Sequence, residues 1–155
     1  VGYLGKLIYI YKLRTMYPYS EFIQGDIYEK NRLDLSGKMK DDYRITSWGK
    51  IFRRYFIDEI PQIFNWIRGD LNLIGVRALS EHYFNLYPKS LQLKRVKFKP
   101  GLIPPYYADL PKTFDEILES EIRYLNKKER KPFTTDLKYF IKSIFNIFFY
   151  GARSK

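Results

Sequence analysis

Two adjacent carboxylates, Asp58 and Glu59, sit in the stretch "FRRYFIDEIPQIFNWIRGD" (52–70), in a chain whose net charge is +11. Arg53 and Arg54 come just before them, and Arg77 comes shortly after. An acid pair in a positive field suits phosphoryl chemistry. One carboxylate attacks phosphorus, its neighbour holds or orients a divalent cation, and the arginines neutralise phosphate oxygens. Pro61 fits the first turn of a helix, which puts Asp58 at or near the N-cap with Glu59 beside it. Free N–H groups and the helix dipole there favour an anion by about 0.3–1 kcal/mol. The plainer alternative is that Asp58 only caps the helix and Glu59 is a first-turn acid. This stretch alone leaves both readings open. A regular helix interior cannot aim adjacent side chains at one metal, whereas a change of backbone direction can.

The surrounding elements must hold these groups. Residues 7–13, "LIYIYKL", are β-branched and aromatic and read as a strand, with Gly2 and Gly5 suggesting a hairpin turn before it. Residues 17–43 are polar, and "SGKMKDD" within them reads as a mobile loop. "TSWGKIFRRYF" (46–56) predicts an N-capped helix with Trp48, Ile51, Phe52 and Tyr55 on one stripe and Lys50, Arg53 and Arg54 off it. That helix either packs on the core or lies on an anionic lipid surface. A second helix follows Pro61, with Ile60, Ile63, Phe64 and Ile67 as its apolar stripe and Gly69 as its stop. "LNLIGV" (71–76) reads as a short strand and "LSEHYFNLY" (79–87) as a short helix ending at Pro88. "KFKPGLIPPYY" (97–107), with three prolines and a glycine, reads as a shaped loop. Residues 113–130 form an amphipathic helix bearing Phe114, Ile117, Leu118, Glu121 and Leu125 on related faces. A final N-capped helix, 135–150, is apolar nearly all round and packs in the core or lies at an interface. The expected fold is α+β, mostly helical with a small β element and amphipathic interfacial helices, in one domain over 1–155.

Composition narrows the chemistry. There is no cysteine and one histidine, His82, so disulfide, thiolate-metal and histidine-relay chemistries drop out. Lysine and arginine number 28 against 17 acids, which points to phosphate, nucleic-acid or anionic-lipid partners. The 15 tyrosines and 12 phenylalanines suit a membrane interface. Nucleic acid is not expected, because no RNP pattern or zinc finger accompanies the charge. The longest apolar run, "IFNIFFY" at 144–150, is far below the ~18 residues of a spanning helix. No signal peptide is visible, and a chain opening on Val1 leaves any upstream segment, a membrane anchor included, out of view.

The longer pattern is more specific. "VGYLGKLIYIYKLRTM", "RITSWGKIFRRYFIDEIPQIFNWIRGDLNLIGVRAL", "KPGL", "SEIRYL" and "TDLKYFIKSI" follow one another along nearly the whole chain. In that order they resemble the bacterial sugar transferase family, the monotopic phosphoglycosyl transferases that begin exopolysaccharide, O-antigen and glycan assembly. The resemblance implies transfer of a phospho-sugar from a nucleotide diphosphate sugar, usually a UDP-sugar, to undecaprenyl phosphate. It implies Mg²⁺ and a place at the cytoplasmic face of the bacterial inner membrane, against its anionic surface. It makes Asp58 the nucleophile of a covalent phospho-sugar intermediate, with Glu59 its partner at the metal. It makes Lys12, Arg14, Arg53, Arg54, Arg77 and Glu121 the substrate- and phosphate-binding set. The composition agrees, since Mg²⁺ takes carboxylate and phosphate oxygens rather than His or Cys.

Three departures stand against the pattern. The family's G-P-R-P is "GVRA", with Val76 and Ala78 replacing two rigid prolines. Ile103 and Pro104 stand where Thr and Gly are usual, and Glu121 where Asp is usual. An inactive membrane-surface relative is the competing reading. Retention of Asp58, Glu59, Lys12 and Arg77 favours the enzyme.

Overall fold

The computed structural model describes residues 1–20, 22–23 and 42–152. The expected mobile loop "SGKMKDD" lies outside them, apart from Asp42. The described residues hold seven α-helices and a two-stranded parallel sheet, as the α+β reading anticipated. The helices are α1 (Ser47–Arg54), α2 (Gln62–Ile67), α3 (Glu81–Asn85), α4 (Lys89–Arg95), α5 (Tyr106–Asp109), α6 (Phe114–Arg130) and α7 (Pro132–Phe149). Strand β1 (Asn72–Ile74) pairs with β2 (Gly101–Ile103), with Asn72 opposite Gly101 and Ile74 opposite Ile103. "KFKPGLIPPYY" is therefore not all loop. The glycine allows close pairing, since a Cβ on Gly101 would stand 2.0 Å from the Gly75 nitrogen.

Residues 7–13 do not form the expected strand, and Tyr3–Gly5 is a 3-10 turn rather than a hairpin corner. β propensity found no neighbouring strand to pair with. The segment runs extended as a strap whose partner is a side chain. Buried Asn65 of α2 accepts from Tyr11 N–H at 3.0 Å and donates to the Tyr9 carbonyl at 2.6 Å. Leu13 N–H donates to the Asp58 carbonyl at 3.0 Å, so the strap crosses directly over the acid-bearing turn. Farther on, Met16 bridges antiparallel to Ile45, and Gly49 of α1 sits where a Cβ would meet the Thr15 carbonyl at 2.1 Å.

The core gathers Ile74, Val76, Tyr87, Leu91, Ala108, Tyr124, Leu125 and Tyr139, where the sheet meets α4–α7. Helix α6 covers the predicted span, and the structure adds its ends: Thr113 caps Glu116 N–H, acids fill the first turn, and lysines and Arg130 fill the last. Helix α7 starts earlier than expected, on Pro132, and carries no side-chain cap.

Its faces are inverted. The buried residues are Thr135, Tyr139, Ser143 and Asn146, while Phe133, Leu137, Ile141, Phe145, Phe148 and Phe149 are exposed. Helix α2 repeats the inversion, burying Gln62 and Asn65 and exposing Ile63, Phe64, Trp66 and Ile67. On α1 the stripe residues Trp48, Ile51 and Tyr55 are exposed as well, so that stripe does not pack on the core. A water-facing helix arranges these faces the other way.

Candidate active site

Asp58 does not cap a helix. It sits in a 3-10 turn, Ile57–Glu59, between α1 and α2, and Pro61 occupies the α2 N-cap without a side-chain bond. Phe56 enters that turn in the left-handed region at φ 58, an expensive conformation for a large side chain. The sharp reversal turns both acids to the same side, where each lines one cleft of about 430 Å³. Asp58 is 8% exposed, and its carboxylate accepts no hydrogen bond among the described residues.

The same cleft is lined by Lys12, Arg14, Thr15, Arg44, Arg53 and Arg77. Glu59 Oε1 takes Lys12 Nζ at 2.7 Å and Arg77 Nη2 at 3.4 Å. Arg77 Nη1 donates to the Tyr106 hydroxyl at 2.6 Å. Tyr106 and Glu59 outweigh the burial penalty and hold Arg77 firmly protonated. Burial, reinforced by Arg77, pulls Lys12 below the usual lysine range despite Glu59. Arg53 Nε donates to Thr15 Oγ1 at 2.9 Å, so this side chain turns into the cleft rather than toward a membrane. Buried Arg44 forks onto Asp42 at 2.7 and 2.8 Å, and the fork draws the Asp42 carboxyl below its ordinary value.

Two predicted residues fall elsewhere. Arg54 is exposed, with its guanidinium over the Tyr55 ring. Glu121 is 1% exposed and ion-paired with buried Arg95, so it touches neither cleft. Arg95 also donates to the Arg77 carbonyl, which makes the Glu121 pair a brace behind the Arg77 loop. Arg44, Thr15, Tyr106 and Arg95 were not singled out from sequence. Arg44 does begin the quoted "RITSWGK" block and Thr15 lies in the quoted "YKLRTM" end of the first block; Tyr106 and Arg95 lie outside the blocks that carry the resemblance.

A second cleft, of about 470 Å³, shares Lys12, Glu59 and Arg77 with the first. Its walls are mixed: Leu7, Ile8 and Ile10 from the strap and Leu79, Leu102 and Pro104 opposite, with Gln62, Ser80 and Glu81 among them. The Lys12–Glu59–Arg77 cluster thus forms a seam between a cationic cleft and a second one of mixed polarity. Asp58 and Glu59 are the residues that would hold a divalent magnesium ion, because Asp58 accepts no hydrogen bond among the described residues and shares its cleft with Glu59. Among the described residues no cluster of three or more metal-ligating side chains occurs, so further ligands would come from substrate and water.

Such a site, a turn-borne acid pair facing converging cations, has the charge pattern that phosphate groups require. The chain belongs to the bacterial sugar transferase family, whose pattern matches residues 1–150. It is 35% identical over 131 residues to the galactosyl transferase CpsE of Streptococcus agalactiae, covering 82% of this chain and 29% of that protein. It is 35% identical over 102 residues to the uncharacterized sugar transferase EpsL of Bacillus subtilis, covering 65% of this chain and 44% of that protein. It is 37% identical over 107 residues to the undecaprenyl-phosphate galactose phosphotransferase of Salmonella typhimurium, covering 66% and 22%. The chain thus spans less than half the length of each of these relatives.

Proposed function

We propose that this chain is the catalytic domain of a phosphoglycosyl transferase, moving a phospho-sugar from a nucleotide diphosphate sugar to undecaprenyl phosphate. One observation carries the reading: Asp58, whose carboxylate accepts no hydrogen bond among the described residues, lines the same cleft as Lys12, Arg14, Arg44, Arg53 and Arg77. Relatives support the substrate kinds, since one is named an undecaprenyl-phosphate galactose phosphotransferase and another a UDP-glucose:undecaprenyl-phosphate glucose-1-phosphate transferase.

An Asp58 oxygen attacks the phosphorus that carries the sugar. The bond from that phosphorus to the bridging oxygen breaks, and the nucleoside monophosphate leaves with the electron pair; UMP is the product if the donor is a UDP-sugar. A phosphate oxygen of the polyprenyl acceptor then attacks the same phosphorus. The aspartyl–phosphorus bond breaks, restoring the carboxylate and yielding the polyprenyl-diphospho-sugar. Arg53, Arg77 and Lys12 bind the phosphate oxygens through both steps, with Arg14 and Arg44 extending the field along the cleft. Glu59 keeps Lys12 and Arg77 aimed at the seam. Asp58 and Glu59 would hold Mg²⁺, which supplies charge neutralisation of the diphosphate when bound. The second cleft, whose walls mix aliphatic side chains with Gln62, Ser80 and Glu81, receives the group next to the transferred phosphate.

The inverted helices α1, α2 and α7 support an interfacial setting at the anionic cytoplasmic face of the inner membrane. Their exposed aromatic and aliphatic residues lie in a chain of +11 charge, a combination that suits anionic headgroups above acyl chains. Among the described residues no helix is long and apolar enough to cross a membrane.

The test is intact-mass spectrometry after incubation with Mg²⁺ and a panel of UDP-sugars. A phospho-sugar adduct, with one nucleoside monophosphate released per chain and neither in Asp58→Asn, is the expected result. No adduct with any sugar nucleotide, from folded protein, would move the chain to the inactive surface-binding reading.

A further inference from the structure

Arg77 spans the seam between the two clefts, and a long arginine side chain has many ways not to do so. Its loop, Gly75–Ala78, has no proline to stiffen it. From behind, Arg95 holds the Arg77 carbonyl while itself locked by Glu121 and seated 4.8 Å from the Tyr87 ring centroid. That brace fixes the backbone and leaves the guanidinium to other groups. Glu59 meets Nη2 at a long 3.4 Å, whereas Tyr106 meets Nη1 at 2.6 Å.

The Tyr106 hydroxyl is itself placed by a chain of rings. Tyr106 packs edge-on to Tyr107 with centroids 4.6 Å apart, and Tyr107 packs edge-on to Phe56 at 5.6 Å. Phe56 is the left-handed residue that opens the acid-bearing turn. Pro104 and Pro105 fix the chain entering α5. The ring stack therefore ties the turn that aims Asp58 and Glu59 to the hydroxyl that aims Arg77. A strained φ held at one end of such a stack is where a built-in geometric constraint is expected.

We infer that Tyr106 is a positioning residue, acting through Arg77: its hydroxyl holds the guanidinium across the seam, ready for the phosphate carrying the sugar. The inference rests on the cleft being a diphosphate site. Removing the hydroxyl takes away the 2.6 Å hydrogen bond at Nη1 and loosens the guanidinium's placement across the seam. Tyr106→Phe keeps the ring and its contact with Tyr107, so the fold is retained.

Two measurements on the full chain test it. The first is NMR of rotation about the Arg77 Nε–Cζ bond, without ligand. It should be slow in the parent and at least tenfold faster in Tyr106→Phe. The second is calorimetric affinity for Mg²⁺–pyrophosphate across the cycle of Tyr106→Phe, Arg77→Gln and the double variant. Tyr106→Phe should weaken binding about tenfold, roughly 1.4 kcal/mol, and should cost nothing further once Arg77 is Gln. Unchanged Arg77 rotation in Tyr106→Phe, or additive losses in the cycle, would overturn the positioning role. If the parent shows the restricted rotation but binds no pyrophosphate, Tyr106 still positions Arg77, and it is the diphosphate reading that falls.

Discussion

Among single residues, the acid pair was legible and its local setting was not. Pro61 suggested an N-cap, but the chain makes a separate 3-10 turn first, because Phe56 reverses it in a conformation no propensity favours. The role of Glu121 was misplaced for a related reason. A buried carboxylate and an exposed one look alike in sequence, and only the packing of α6 against α4 shows that Glu121 pairs with Arg95. Asp58→Asn should abolish the adduct and all transfer. It removes one anion from among several cations without leaving a hydrogen bond unmade, so the stability loss should stay near 1 kcal/mol by urea denaturation. Turnover near the parent level would exclude Asp58 as nucleophile. Lys12 gives a pH prediction. Its folded value lies below the ordinary 10.5, so the unfolded chain binds more protons in the interval between them, and stability from this group rises with pH there. Pyrophosphate binding goes the other way, falling as Lys12 loses its proton on the alkaline side. Lys12→Arg should carry binding to higher pH; a profile identical to the parent's would detach Lys12 from the phosphate.

The elements divide by whether their partners are local. The span of helix α6 was legible because its apolar stripe is local, whereas the burial of Ser120, Tyr124 and Lys128 on the same helix was not, because it depends on what packs there. Strand β2 was missed because its partner β1 lies far back in sequence, and Pro-Gly flanks hid it. The strap was called a strand for want of any sign that Asn65 would serve as its edge. Helix α4 drew no notice, though it carries Arg95. The strand pair positions the Arg77 loop, so Gly101→Ala, whose Cβ would meet the Gly75 nitrogen at 2.0 Å, should cost at least about 2 kcal/mol and weaken pyrophosphate binding with it. Unaltered urea midpoint and affinity would show that the sheet yields without moving the site. Helix α1 splits its two arginines, which the sequence reading had placed together in the phosphate-binding set. Arg54→Gln should lower binding to anionic vesicles with little effect on pyrophosphate, and Arg53→Gln should do the reverse. Equal effects of both variants in both assays would refute the split.

Across the whole molecule, the amphipathic helices that sequence anticipated are present, and their inversion is what composition could not show. Helical periodicity marks a stripe but not which way it faces. In α1, α2 and α7 the apolar stripe faces out and small or polar groups face in; Asn146, for example, donates to the Tyr107 and Ala108 carbonyls at 2.9 Å. Exposing this much large apolar surface to water costs on the order of 25 cal/mol per Å², so the faces call for a cover. With +11 overall charge, the cover that fits is an anionic bilayer surface, with charge drawing the domain in and the helices holding it there. Attachment should therefore have two separable parts. Raised salt should weaken binding to anionic vesicles without abolishing it. Ile63→Glu with Ile67→Glu on α2, or Leu137→Glu with Ile141→Glu on α7, should reduce cosedimentation even at low salt and lessen self-association in detergent-free buffer. Pyrophosphate affinity should stay within about twofold of the parent, because none of these side chains lines either cleft. Undiminished vesicle binding by both pairs would show that something other than a bilayer covers these faces.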